Sequence, residues 1–170
     1  MAATTTPLDG KKNRKRENKP AVKEAASSKA AKIAVVLIRG MIDMDRPLKD
    51  ALRILRLHRK NHCVIVEDNR ISRGMIQKVK DYVTWGEISP ETYTELIGKR
   101  GKEFKARQTD RKQKYSYAVI EFQGKKYKPY FALNPPLKGF GRKGIKVAFR
   151  VGGALGNRGE KINDLLRRMM

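Results

Sequence analysis

Residues 32–88 decide the fold, and they read KIAVVLIRGMIDMDRPLKDALRILRLHRKNHCVIVEDNRISRGMIQKVKDYVTWGEI. Short strand-like blocks alternate in this stretch with blocks of helical periodicity. Residues 33–38 form a continuous apolar run rich in β-branched side chains, which is typical of a strand covered on both faces. Residues 64–66 and 84–88 predict a second and a third strand. The predicted order is therefore strand, helix, strand, helix, strand.

Three helices are predicted within or just after this stretch. The first is expected to have Asp45 as its N-cap and Pro47 in its first turn. Its apolar stripe comprises Leu48, Ala51, Leu52 and Leu55. The second is expected to be capped by Ser72, and its apolar positions are Met75, Ile76, Val79 and Val83. A third, short helix is predicted over residues 89–97, ended by Gly98.

The flanking sequence divides the chain into three parts. Residues 1–31 lack apolar periodicity and are expected to form a basic tail that is disordered when free. Residues 32–98 form the core. Residues 99–170 form a basic extension with a hairpin, a Pro/Gly-rich loop over 134–146 and a C-terminal helix. The hairpin is predicted to run from a strand over 115–122 through a turn at Gln123-Gly124 to a second strand over 125–131. The apolar stripe of that last helix is Ile162, Leu165, Leu166 and Met169.

The charge of the chain is strongly positive and unevenly distributed. Lys and Arg number 40 against 17 Asp and Glu, a formal net charge of +23. Residues 33–98 carry 11 basic and 9 acidic side chains, whereas residues 99–150 carry 16 and 3. So large an excess indicates a polyanionic partner, nucleic acid before an anionic membrane. No membrane is expected, because no apolar run approaches the roughly 18 residues of a span and residues 1–16 lack the apolar middle of a signal peptide.

Catalytic and metal sites are poorly supported by the residues. Asp43, Asp45, Glu67 and Asp68 follow the first two strands and could hold Mg²⁺ for phosphodiester cleavage only if those strands ran parallel. His58, His62 and Cys63 lack a suitable fourth ligand nearby. Cys63 lies in an apolar strand and is expected to be a buried, inert thiol in a reducing cytosol. We therefore expect no catalytic residue, no metal and no cofactor.

The stretch quoted above, up to Ser89, resembles the ribosomal protein L thirty family of the large subunit, in its long archaeal and eukaryotic form. Residues 134–136 (NPP), 152–158 (GGALGNR) and 162–169 (INDLLRRM) resemble the tail of the same form. Residues 99–133 match the family poorly. The resemblance implies an α+β fold: a small three-stranded antiparallel sheet with two helices on one face. A β-α-β-α-β pattern by itself favours parallel strands.

The charge of the chain and its family resemblance together predict a function. The chain is expected to be a structural constituent of the large ribosomal subunit in the cytoplasm, binding and stabilising rRNA. Its expected partners are large-subunit rRNA and neighbouring ribosomal proteins, with the small 5S-type rRNA as a further candidate, and no homo-oligomer is expected. The alternatives are a general nucleic-acid-binding protein or RNA chaperone and, more remotely, a Mg²⁺-dependent nuclease.

The predicted RNA contacts lie on a helix stripe, a turn and the two basic stretches of the extension. They are Arg46, Lys49, Arg53, Arg56, Asn69, Arg70, Arg73, Gly74, Lys102, Lys105, Arg107, Arg111, Lys112, Lys114, Lys138, Arg142, Lys143, Lys146 and Arg158.

Four groups of residues, three among these contacts and one on the hairpin, also have a purely structural interpretation. The helix stripe by itself is equally typical of a solvated face, but the strongly basic extension favours an RNA-facing helix. Gly74 either lets a phosphate chain approach closely or serves packing. Residues 152–159 are either a cap with a tight turn or a phosphate contact through Arg158. The aromatic residues of the hairpin are more typical of cross-strand packing than of base stacking; they are Tyr115, Tyr117, Phe122, Tyr127, Tyr130 and Phe131.

Overall fold

A sheet with three long strands lies at the centre of the fold. The computed structural model describes residues 32–170, so the predicted N-terminal tail lies outside the described part. Strand β1 (Lys32–Leu37) is in the middle, between β2 (His62–Glu67) and β3 (Val83–Glu87). It is antiparallel to both neighbours, with Val35 opposite Val64 on one side and Trp85 on the other. The antiparallel sheet implied by the family resemblance is thus confirmed.

Helices cover both faces of this sheet. Helices α1 (Arg46–Ile54) and α2 (Arg70–Lys78) bury Leu52 and Ile76 against the side chains of alternate β1 residues. On the opposite face, α3 (Pro90–Arg100) and α4 (Ile162–Met169) pack over Ala34, Val36 and Cys63. The two helices predicted on one face are present, and the second helical layer is an addition to that prediction. A strand covered on both faces must be apolar throughout, which explains the continuous run of β1.

The C-terminal part of the chain completes the sheet as well as covering it. Strand β6 (Phe131–Ala132) pairs antiparallel with β2, and β7 (Gly156–Asn157) pairs parallel with β3. Each is two residues long and occupies an outer edge of the sheet. The Arg100 guanidinium of α3 donates to the backbone carbonyl of Met170 at 3.0 Å, which fixes the end of α4. Residues from the predicted extension therefore belong to the folded body.

The predicted hairpin is present but shorter than expected. Strands β4 (Ile120–Phe122) and β5 (Lys125–Tyr127) are joined by Gln123 and Gly124, whose φ angles of 49° and 74° suit a tight hairpin turn. Flanking residues predicted as strand lie outside the ladder, because this two-stranded ribbon has little apolar surface to bury. Residues 134–146 form no regular helix or strand, as predicted.

Three predicted helix boundaries are wrong. Helix α2 begins at Arg70, with Asn69 as its N-cap, so Ser72 lies inside the helix. The same helix ends at Lys78, so Val83, predicted in its apolar stripe, belongs to β3. Helix α3 continues through Gly98 to Arg100. A helical glycine costs about 1 kcal/mol relative to alanine, and the buried residues Leu96 and Ile97 just before it offset that cost. Within residues 32–170, none of the helices has both the length and the apolar character needed to traverse a lipid bilayer.

Candidate nucleic-acid interface

The basic segment over residues 102–114 is held beside the hairpin as an irregular third strand. Phe104 N–H donates to the carbonyl of Lys126 at 2.8 Å, and Lys128 N–H donates to that of Lys102 at 2.9 Å. A bridge between Thr109 and Ser116 folds the segment back on itself. All six of its predicted contact residues are exposed, and none forms an ion pair within the described residues. Those six are Lys102, Lys105, Arg107, Arg111, Lys112 and Lys114.

The basic loop over residues 138–146 lies against the C-terminal end of α4. Arg168 of that helix donates through Nη1 to the carbonyls of Leu137 and Gly139, at 3.1 Å each. Lys143 N–H donates to the Gly152 carbonyl at 3.2 Å. Its four predicted contacts are exposed, and they are Lys138, Arg142, Lys143 and Lys146. Since α4 covers the face opposite α1, this loop and the α1 stripe are on different sides of the sheet.

The α1 stripe is partly as predicted. Arg46, Lys49 and Arg53 are exposed, but Arg56 lies beyond the helix end with φ of 61°. Leu57 N–H donates to the carbonyl of Leu52, and Arg56 N–H donates to that of Arg53, both at 2.9 Å. This pair of bonds is a Schellman helix ending, whose left-handed position favours glycine. An arginine there costs about 1 kcal/mol of backbone strain, and its guanidinium reaches the Ala118 carbonyl at 3.4 Å.

The turn into α2 presents a mixture of free and paired groups. Asn69 and Arg70 are exposed. Arg73 is exposed too, but its guanidinium donates two hydrogen bonds to the carboxylate of Asp68. That hydrogen bonding lowers the pKa of the Asp68 carboxyl. A Cβ built on Gly74 would meet no heavy atom within 4 Å. Gly74 therefore has no packing neighbour in the described part of the chain, and its contact with RNA stays a prediction.

Arg158 is used inside the protein. It is 6% exposed and donates to Thr84 Oγ1 at 2.9 Å and to the carbonyls of Phe140 and Ala154 at 3.0 Å. Burial lowers the pKa of its guanidinium to about 10, so it stays charged at neutral pH. A Cβ on Gly153 would clash with the carbonyl of Val147. The glycine-rich segment is thus a tight internal turn, and Arg158 is not available for the RNA contact predicted from its charge.

The carboxylates considered for Mg²⁺ lie at opposite ends of the sheet. Because β1 and β2 are antiparallel, the residues that follow β1, including Asp43, are remote from Glu67 and Asp68 after β2. Across residues 32–170, no three His, Cys, Asp or Glu side chains are grouped in a way that could hold a metal ion. The geometric premise of the nuclease alternative, parallel strands, is therefore wrong.

His62 and Cys63 belong to different environments. The His62 ring stacks on Tyr130 with centroids 5.2 Å apart. Burial, followed by the positive charges of His58, Arg59 and Lys102, lowers the pKa of His62. Cys63 is fully buried under α3 and α4, and burial raises the pKa of its thiol to about 12. Such a thiol is neutral and inert at physiological pH, as predicted.

The six aromatic residues of the hairpin region divide into packed and exposed ones. Phe131 is fully buried, and Phe122 packs edge-on against Tyr93 with centroids 6.2 Å apart. Tyr115 and Tyr117 are 69% and 59% exposed. Sequence reasoning did not separate these two from the rest, because alternation alone does not say which face of a ribbon has a neighbour. Sequence reasoning also did not single out Phe104 and Lys128, which line one cleft with Tyr117 but come from separate segments and carry no shared motif.

Comparison with known proteins gives one consistent family. Residues 33–83 match the family described as Ribosomal protein L30p/L7e. A protein of Nanoarchaeum equitans named Large ribosomal subunit protein uL30 is 43% identical over 155 residues, covering 79% of this chain and 96% of the relative. Proteins of the same name from Methanopyrus kandleri and Methanococcus maripaludis are 42% and 44% identical, covering 78% and 81% of this chain and 100% and 98% of their own lengths.

Proposed function

The chain belongs to the ribosomal protein L30p/L7e family, and from this premise we propose that it is a structural constituent of the large ribosomal subunit in the cytoplasm. It binds and stabilises rRNA, supports subunit assembly and catalyses no reaction. Its mechanism is electrostatic: lysine and arginine side chains neutralise phosphates and release the counterions condensed on the RNA.

One observation carries this proposal. The ten basic residues predicted as contacts in segments 102–114 and 138–146 are all exposed, and none is neutralised by an ion pair within the described chain. Both segments are nevertheless fixed to the body by backbone and arginine hydrogen bonds. Charges that are held in place and left unpaired in the free protein are suited to a partner that supplies many phosphates.

The positions of these segments indicate how the rRNA is engaged. Segment 102–114 lies near the end of α1, because its Phe104 lines one cleft with Arg56. Loop 138–146 lies on the side of α4. We therefore expect two separate stretches of large-subunit rRNA to contact the protein on two sides, which lets one rigid body tie them together. The small 5S-type rRNA and neighbouring ribosomal proteins are further candidate partners.

Sedimentation tests the proposal against the alternative of a general nucleic-acid-binding protein or RNA chaperone. Tagged full-length protein is expected to cofractionate with large subunits after a wash at high salt, because a built-in component is held by many contacts at once. A chaperone or general binder depends mostly on screened charge and is expected to be released. Movement of the protein into the free or DNA-bound pool would refute the ribosomal assignment.

Gly74 gives a prediction in which stability and binding change in opposite directions. Gly74→Ala is expected to raise the free energy of unfolding by up to about 1 kcal/mol, because alanine is the better helix former and its methyl group meets nothing. The same methyl group is expected to weaken binding to purified large-subunit rRNA several-fold, because it keeps a phosphate chain from the helix backbone. Urea unfolding and filter binding measure the two effects.

Gly98→Ala is the matched control. Gly98 is also exposed, helical and free of neighbours within 4 Å, so the same gain in stability is expected with unchanged binding. If Gly74→Ala bound the rRNA as tightly as the unmodified protein, the close approach at this glycine would be excluded.

A further inference from the structure

A cleft of about 370 Å³ lies between the end of α1 and the residues that flank the hairpin. Four separate parts of the chain contribute to it: the end of α1, segment 102–114, the approach to β4 and the turn after β5. The residues that line it are Arg56, His58, Phe104, Tyr117, Ala118, Lys128, Pro129 and Tyr130. No carboxylate is among them.

The walls of this cleft are aromatic and held in place. Tyr130 is fixed by its stacking on His62. The backbone of Phe104 is fixed by its hydrogen bond to the Lys126 carbonyl. Tyr117 N–H donates to the Gln108 carbonyl at 2.8 Å, while its side chain remains 59% exposed. A large aromatic side chain that is anchored through its backbone but left in solvent offers a preformed stacking surface.

The rim of the cleft is cationic. Arg56 occupies a left-handed position that would favour glycine, and its guanidinium points across to the Ala118 carbonyl on the other side. Lys128 is placed by the hydrogen bond from its N–H to the Lys102 carbonyl. Strained residues persist where the surrounding structure holds them, and such positions cluster at binding sites. The strain at Arg56 has the effect of putting a positive charge beside the aromatic walls.

We propose that this cleft binds one unpaired RNA nucleotide, with its base stacked on Tyr117 and its flanking phosphates next to Arg56 and Lys128. Proteins read unpaired RNA bases in this manner, by stacking on aromatic rings while cations hold the backbone. The positive rim and the absence of a carboxylate in the lining favour RNA over a peptide, unless that peptide is acidic. The inference rests on the proposed rRNA-binding function and adds an unpaired nucleotide to the phosphate contacts of the basic segments.

The test uses the full-length protein and two RNA hairpins of equal stem length, one carrying a single bulged 2-aminopurine and one fully paired. We expect the bulged hairpin to bind roughly 10-fold more tightly, with the 2-aminopurine fluorescence changing on binding because the base stacks. Tyr117→Leu is expected to abolish both the preference and the fluorescence change, whereas Tyr117→Phe keeps them because the ring is retained.

Tyr115→Leu is the matched control, since Tyr115 is at least as exposed as Tyr117 but does not line the cleft; it is expected to leave the preference unchanged. Equal affinity of the unmodified protein for the two hairpins, or a full preference in Tyr117→Leu, would overturn the proposal. If both hairpins bound in a salt-dependent way with equal affinity, the cleft proposal would be overturned and the proposed rRNA-binding function would stand. If neither hairpin bound, the result would contradict both the cleft proposal and the proposed function. Tyr117-dependent binding of a Glu-rich decapeptide with no bulge preference would assign the cleft to a protein partner instead.

Discussion

Leu165→Ala is expected to lower the free energy of unfolding by about 2 to 5 kcal/mol, the usual range for removing a leucine side chain from a packed core. Leu165 is fully buried, and α4 packs it with Ile162 and Leu166 over Val36 and Phe131 on the second face of the sheet. The side chain comes from a part of the sequence that looks like an appendage. Urea unfolding followed by far-UV circular dichroism measures the effect.

Arg167→Ala, in the same helix, is the control. Arg167 is exposed, and its ion pairs with Glu91 and Glu95, at 3.7 and 4.0 Å, lie on the surface. Such pairs contribute less than about 1 kcal/mol each. If Leu165→Ala cost no more than Arg167→Ala, α4 would not belong to the cooperative core.

Replacing the six basic contacts of segment 102–114 with glutamine is expected to weaken rRNA binding on the order of 1,000-fold at low salt. If each side chain contacts one phosphate, the slope of log affinity against log salt concentration is expected to become shallower by about 4 to 5. The fold is expected to remain intact, because all six side chains are exposed and unpaired in the described chain. Titration of purified large-subunit rRNA at several salt concentrations measures both quantities.

A second six-residue variant separates position from total charge. Glutamine replaces six residues that are exposed, form no ion pair within the described residues and lie outside the proposed contacts: Arg59, Lys60, Lys78, Lys80, Arg150 and Lys161. Both variants have the same net charge. A protein that binds RNA through its overall charge would be affected equally by the two variants, and that result would contradict the proposed interface. A large loss confined to the first variant is the expected outcome.

The order of the elements could be predicted from the sequence, whereas the direction of the strands could not. Periodicity marks residues 33–38 as a strand and residues 48–55 as one apolar helical face, but it is the same for parallel and antiparallel neighbours. The direction depends on where the chain returns after α1. Asn61 N–H donates to the Leu37 carbonyl at 2.8 Å, so β2 begins beside the end of β1. The antiparallel sheet followed only from the family resemblance.

In the candidate interface, too, the sequence predicts the position of some residues and not of others. A high local density of lysine and arginine correctly indicates exposure for segments 102–114 and 138–146, because so much charge cannot be buried without partners. A single arginine among small residues carries no such signal, and Arg158 is buried because Thr84, Phe140 and Ala154 supply acceptors from distant parts of the chain. For the same reason the cleft at Tyr117 could not be found, since its walls meet only after folding.

Residues near the C-terminus complete the sheet, and this has a consequence for the synthesis of the protein. A nascent chain that has reached residue 98 contains β1, β2 and β3, but it lacks both edge strands and α4. At about 5 to 20 residues per second, roughly 4 to 14 s pass before α4 is made. During that interval the apolar side chains of Ala34, Val36 and Cys63 have at most the cover of α3, and the outer hydrogen-bonding groups of β2 and β3 are unpaired. The newborn protein is therefore most in need of chaperone protection while residues 99–170 are being translated.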